Sequence, residues 1–212
     1  MKSLKQIILT LSAVAVAVSL NSCDSKKKIA EKIEGTWATE KPEYISVPGA
    51  LDATSTTFMQ FMVEPMVVDP LGGSVLITAN FEASYVAPKS DLVVQPYSIT
   101  PSGIVSVEGQ WYVKDDDEIM INLNPSTFTV KVDPETVVLN DNVLTGENFS
   151  TIDSIKPILL SQVENGISGI YKTKLLNIRE MDDVKIGDYK LKCEINDVEY
   201  HFMRQAEPVE AK

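Results

Sequence analysis

The sequence predicts an all-β domain, an antiparallel β-barrel with one amphipathic α-helix late in the chain; a β-sandwich is the alternative architecture. Three observations carry this. Several segments alternate apolar and polar residues with a period of two, turn-forming residues separate them, and one segment alone, Asp153 to Ile170, shows a clear 3.6-residue period.

The chain opens with a positive stretch, Met1 to Gln6 with Lys2 and Lys5, and then an apolar run of 14 residues from Ile7 to Leu20. A membrane-spanning helix needs roughly 20 apolar residues, so this run has the length of a signal-peptide core. Leu20-Asn21-Ser22-Cys23 follows, with an aliphatic residue three before a cysteine and a small residue just before it. The arrangement resembles the lipobox of bacterial lipoproteins. That resemblance implies that the Cys23 thiol receives a diacylglycerol, that the chain is cut after Ser22, and that the new amino terminus is acylated, giving a palmitate-type anchor. An uncleaved amino-terminal anchor is the alternative, and it too leaves the protein on a membrane.

The same resemblance implies a place in a bacterial cell envelope, at the outer membrane ahead of the inner, facing the periplasm. The acidic run that follows the cysteine of surface-exported lipoproteins in some gut bacteria is missing, since Asp24 is followed by Ser25 and Lys26-Lys27-Lys28. Residues 1–22 are read as the leader, 23–32 as a lipid-anchored, solvated tether, 33–204 as a single β-barrel domain and 205–212 as a tail. Two or more acyl chains, each gaining about 0.8 kcal/mol per buried CH₂, hold where one would not.

The body begins with Glu34-Gly35-Thr36-Trp37, and the same pattern returns as Glu108-Gly109-Gln110-Trp111, so the two segments contain both tryptophans. Glycine admits a large ring or a second backbone close by, and a tryptophan two residues on points to the same side of a strand. On these residues the chain resembles bacterial lipocalin-like lipoproteins, calycin-type barrels that open with Gly-x-Trp soon after the tether. The resemblance implies a non-enzymatic protein that holds a small apolar ligand in its interior, lined by Trp37, Phe81, Tyr85 and Trp111. The alternative is a packed β domain that docks on an envelope assembly through one face. Inward apolar residues look alike in sequence whether they fill a core or line a pocket.

Thr54 to Met66 is open between helix and strand: Phe58, Phe61, Met62 and Met66 have helical spacing, while the Thr-rich start and Pro65 suit an extended segment. Val75, Ile77, Ala79, Phe81, Ala83 and Tyr85 share one face of a long strand, with Thr78, Asn80, Glu82 and Ser84 on the other. Val105, Val107, Gly109, Trp111 and Val113 alternate in the same way. Lys114 to Asp117 turns the chain, and Ile119, Ile121 and Leu123 continue inward on the return. Pro125-Ser126 breaks that run before Phe128, Val130 and Val132 resume it.

The helix follows, with an apolar stripe of Ile155, Ile158, Leu159, Val163, Ile167 and Ile170. Pro157 either opens it or follows a first turn lacking one hydrogen bond, and Gly166 and Gly169 mark its expected end. Such a helix beside an antiparallel sheet covers a barrel mouth or a sheet edge. A hairpin from Lys185 to Arg204, turning at Asn196-Asp197, closes the domain.

Charge and composition exclude several chemistries. Of the 19 basic side chains Lys2 and Lys5 leave with the leader, so 17 face 30 acidic ones and the formal charge falls from −11 to −13. Nucleic acid is bound by neutralising phosphates with Lys and Arg, and no basic stripe offers that. His201 is the only histidine, which excludes a multi-histidine metal site, and its strand setting points to a packed or surface role ahead of catalysis. Asp115-Asp116-Asp117-Glu118 lacks the length and glycine of a calcium loop and reads as a solvated turn. No phosphate-binding loop, nucleophile elbow or Cys-x-x-Cys occurs, so no cofactor or metal is expected. Cys193 shares parity with Leu191 and Ile195 and is expected to be a core residue; with Cys23 lipidated it has no disulfide partner.

Overall fold

The computed structural model describes residues 25–48, 51–64, 71–87, 97–138 and 152–206. Eleven strands and two α-helices make up these residues. The strands are β1 (Gly35–Thr39), β2 (Glu43–Val47), β3 (Leu51–Val63), β4 (Gly72–Ala87), β5 (Tyr97–Ile99), β6 (Ser102–Asp115), β7 (Glu118–Leu123), β8 (Thr129–Val132), β9 (Glu180–Ile186), β10 (Lys190–Ile195) and β11 (Val198–Arg204). Helix α1 covers residues 25–33, and α2 is Ile152–Leu175.

β1, β3, β4, β6, β7, β9, β10 and β11 form a closed ring in which each strand pairs antiparallel with the next, and β11 returns to β1. This is an up-and-down barrel of eight strands, and the sandwich alternative falls away. The architecture is consistent with the lipocalin-like barrel that the Gly-x-Trp resemblance implied. β2, β5 and β8 lie outside the ring and extend β3, β4 and β6 beyond it. All three extensions stand at the end of the barrel that α2 covers. At the opposite end lie the β6–β7 turn, the β9–β10 turn and α1.

The alternation read from the sequence sets the inside of the ring. Val75, Ile77, Ala79, Phe81 and Ala83 are buried, as are Val105, Val107, Trp111, Val113, Ile119, Ile121 and Leu123. Thr54 to Met66 resolves as extended: β3 runs to Val63 with Met59 and Phe61 inward and buried, whereas Pro65 and Met66 lie outside the described residues. The helical spacing of Phe58, Phe61 and Met62 is overridden by thirteen residues of pairing with β4. Pro125 to Thr127 forms a single 3₁₀ turn, and β8 then resumes along β6 where β7 left it.

Two expectations about helical segments are corrected. Residues 23–32 were expected to be a solvated tether, but residues 25–33 are helical and packed, with Ala30 and Ile33 buried in the core and Ile29 against it. Their three apolar side chains form a stripe one turn deep, and a Lys27–Glu31 pair at 3.8 Å supports the exposed face. The second concerns α2, which does not end at Gly166 or Gly169. Tyr171 and Leu175 continue the stripe of Leu159, Val163 and Ile167 at four-residue steps and are fully buried. Burying each such side chain contributes about 1.5–3 kcal/mol, which outweighs the roughly 1 kcal/mol that a glycine costs in a helix. Pro157 lies inside α2, so a first turn precedes it. Ile158, placed in the stripe by its spacing, is 41% exposed.

Three strands follow α2 where two were expected. The additional one, β9, completes the ring by bridging β7 and β10. The last hairpin turns at Asn196-Asp197 as expected, and both residues have positive φ, 52° and 62°, the twist that suits a two-residue hairpin loop.

Candidate functional site

The two Gly-x-Trp segments occupy the barrel interior toward its α1 end. Gly35 has φ of 111°, a conformation that side chains resist, and a Cβ there would stand 2.9 Å from Arg204 Nη1. At Gly109 a Cβ would meet the Asn122 carbonyl oxygen at 2.5 Å, so β6 and β7 approach one another only because that side chain is missing. Each tryptophan is anchored. Trp37 Nε1 donates to the Ile33 carbonyl at 2.7 Å, and Trp111 Nε1 donates to the Met62 carbonyl at 3.2 Å. Phe61 meets Trp111 edge to face, with ring centroids 5.6 Å apart at 89°.

Phe81 lies toward the α2 end, where it packs on Tyr171 at 5.9 Å between centroids, and half-buried Tyr85 rests against α2 at Gly166. Trp37, Phe81, Tyr85 and Trp111 are therefore not assembled around one space. The tryptophans belong to one half of the core, and Phe81 and Tyr85 form the seat of α2. Cys23 lies outside the described residues.

A cavity of about 210 Å³ lies between the carboxyl end of α2 and the strands β1, β3, β10 and β11. Its floor is Met59, Leu175, Ile178, Ile195 and Phe202, all buried. Thr39, Glu43, Thr57, Lys174, Asn177 and Asn196 contribute its polar side, and Tyr200 stands between the two. Inward residues of β3, β10 and β11 supply Met59, Ile195 and Phe202, while the carboxyl end of α2 and the loop after it supply Leu175 and Ile178 to the floor and Lys174 and Asn177 to the polar side.

The polar side is wired together. Glu43 Oε2 accepts from Lys174 Nζ at 2.8 Å and from the Thr57 hydroxyl at 2.8 Å, and the Thr57 backbone N–H donates to Thr39 Oγ1 at 3.2 Å. The Tyr200 hydroxyl is pushed up to about 12, first by burial and then by the negative charge of Glu43. Burial likewise raises the Tyr171 hydroxyl, and the nearby Ser55 hydroxyl opposes that rise. Neither the Tyr171 nor the Ser55 hydroxyl makes a well-aligned hydrogen bond among the described residues. Buried polar atoms are normally satisfied, and these two hydroxyls form a small polar spot within the apolar seat of α2.

Two other clusters bear on the expected chemistry. Glu118, Glu180 and Asp182 present carboxylate oxygens within 4.8 Å of one another, with Lys114 paired to Glu118 as countercharge. The acidic turn at Asp115 to Asp117 serves as a dock: Ser25 Oγ donates to Asp116 Oδ1 at 2.5 Å, and Lys26 Nζ donates to the Lys114 carbonyl at 2.7 Å. His201 is exposed on the outer face of β11, where Nε2 lies 2.8 Å from Glu199 Oε1. Cys193 is a free, buried thiol beside Leu191 and Ile195, pushed up to about 12 by burial.

Sequence reading missed Glu43, Lys174 and Tyr200. Glu43 and Lys174 are separated by most of the chain, and their pairing follows from the helix lying across the mouth. Only the parity of Tyr200 with Phe202 and Val198 could have signalled an inward-leaning tyrosine at the last hairpin. No protein-family model matches this chain, and no curated protein matches it.

Proposed function

We propose that this protein is a non-enzymatic, lipid-anchored component of a bacterial cell envelope whose barrel takes up a small apolar ligand under the carboxyl end of α2. The observation that supports the reading is the cavity of about 210 Å³, with a buried apolar floor and a polar side organised by Glu43. Apolar pockets with a few placed polar groups are the usual form of a small-molecule site, although drug-sized sites are roughly 300–1,000 Å³. A space equal to about seven waters of liquid volume suits a ligand well below that size.

The anchor rests on Leu20-Asn21-Ser22-Cys23 and the short apolar run before it. In this reading Cys23 carries the lipid and the charge of the mature chain serves solubility. Acyl labelling in cells tests the anchor: wild type incorporates palmitate and Cys23→Ser does not, and equal labelling would end the lipoprotein reading. Calorimetry with hexanol and with indole tests the cavity. A binding isotherm with negative heat-capacity change is expected, and no heat with either probe, together with no thermal shift, would remove the ligand.

A second reading has its own support. The barrel interior is filled by Trp37, Phe61, Trp111, Ile77 and Phe202, none more than 1% exposed, and that is the interior of a packed interaction module. In that case the protein acts through its outer surface, docking on an envelope assembly.

A further inference from the structure

Lipid-anchored domains on flexible spacers tumble. Ten flexible residues would give a root-mean-square reach of roughly 16–19 Å, enough for a barrel to present any face to the bilayer. Here the spacer is folded. Ser25, two residues after Cys23, already belongs to α1 and is bonded to Asp116, and Lys26 is bonded to the Lys114 carbonyl. At the other end of α1, Arg204 donates to the carbonyls of Lys32 and Glu34, both at 2.6 Å. Ala30 and Ile33 are buried between these two clamps.

The clamps and the cavity stand at opposite ends of the barrel. β11 runs from Val198, on the cavity, to Arg204, on α1, and seven residues of strand span roughly 20 Å. Chain reach from Cys23 to Ser25 is at most about 7 Å. We propose, resting on the lipid anchor at Cys23, that the barrel stands on a bilayer by its α1 end in a fixed orientation. The β6–β7 turn lies beside the headgroups, and the mouth under α2 faces the aqueous phase.

Charge at this end is mixed: Lys26, which donates to the Lys114 carbonyl, and Lys27, 3.8 Å from Glu31, lie beside the acidic turn Asp115 to Asp117, so the lysines do not present a purely basic face. Attachment therefore depends on the acyl chains, and α1 converts that attachment into an orientation. The cavity exchanges its contents with the aqueous side, not with lipid directly beneath it.

The test uses full-length lipidated protein in phosphatidylcholine–phosphatidylglycerol vesicles with a headgroup-attached quencher. A fluorophore is placed at Asp117→Cys or at Asn196→Cys. Flotation with the vesicles, unchanged by salt, reports the anchor. Among floated samples the probe at 117 is expected to be strongly quenched and the probe at 196 nearly unquenched. A flexible Gly-Ser spacer inserted between Asp24 and Ser25 should keep flotation and erase the difference. Equal quenching at the two positions overturns the orientation alone, as does a difference that survives the spacer. Failure to float overturns the anchor and the orientation with it.

Discussion

The guanidinium of Arg204 lies over the Trp37 ring, 4.2 Å from its centroid, while its N–H groups reach the carbonyls of Lys32, Glu34 and Asp188. One side chain from the last strand thus joins α1, β1 and the β9–β10 turn. A planar fork can serve three carbonyls and a ring face together; an ammonium cannot. Arg204→Ala should cost about 2–3 kcal/mol in urea unfolding, the sum of a lost cation–π contact and unpaired carbonyls, and Arg204→Lys should recover less than half. A loss indistinguishable from zero in the alanine variant would show that α1 is held by its apolar stripe alone.

Phe81 joins the barrel to its helical cover. It is 2% exposed, packs on Tyr171 with the rings tilted by 40°, and its ring tip fills the place where a Gly103 side chain would be. Truncation to alanine leaves a cavity on both layers, so Phe81→Ala should cost roughly 3–5 kcal/mol at the denaturation midpoint. A loss below about 1 kcal/mol would mean that α2 collapses into the gap, or that Phe81 borders open space.

Strand faces were legible because a period of two survives any context: the inward sets of β4, β6 and β7 follow from alternation alone. The extent of α2 was less legible, because glycines at 166 and 169 signal an end that only the burial of Tyr171 and Leu175 overrides. Residues 25–33 were illegible for a different reason. Three lysines beside three small or aliphatic residues read as a spacer, and the partners that order them, Asp116 and Arg204, are distant in sequence. The cavity was hidden in the same way, since Glu43, Lys174 and Tyr200 meet only through closure of the ring and the placing of α2 across it.

Asp182 gives a pH signature. Burial raises its carboxyl above the ordinary value of 3.8, and the charge of Glu118 adds to that. A folded-state value above the unfolded one means that the native state binds the proton more tightly. Stability from this group is then full below about pH 3.8 and declines as pH rises through the folded value. Asp182→Asn should therefore melt higher than wild type at pH 7, and the gap should close as pH falls toward 3. A lower melting temperature at pH 7 would show that the carboxylate is held favourably after all.

Cys193 should behave as a buried apolar atom. Its thiol is pushed from 9.0 up to about 12, chiefly by burial. A thiolate is the reactive form, so a maleimide should leave the folded, lipidated protein unlabelled at pH 8 and modify it once in denaturant. Because the native state keeps the proton, this group's share of stability is present below pH 9 and lost between pH 9 and about 12. Fast labelling of the native protein would contradict its place in the core.

Filling the cavity separates the ligand-binding reading from the docking one. Asn177 is exposed and lines the space beside Leu175, so Asn177→Trp places a large ring at the opening without touching the buried floor. If the space is a binding site, the variant should lose at least tenfold in affinity for hexanol or indole while its melting temperature stays within a few degrees of wild type. Trp37 and Trp111 do not line the cavity, so their emission should change little on binding. The reporter of choice is the ring resonance of Tyr200, which stands between floor and rim. Unchanged affinity in Asn177→Trp would move the ligand elsewhere, and no shift of the Tyr200 resonance with either probe in wild type would leave the outer surface as the functional one.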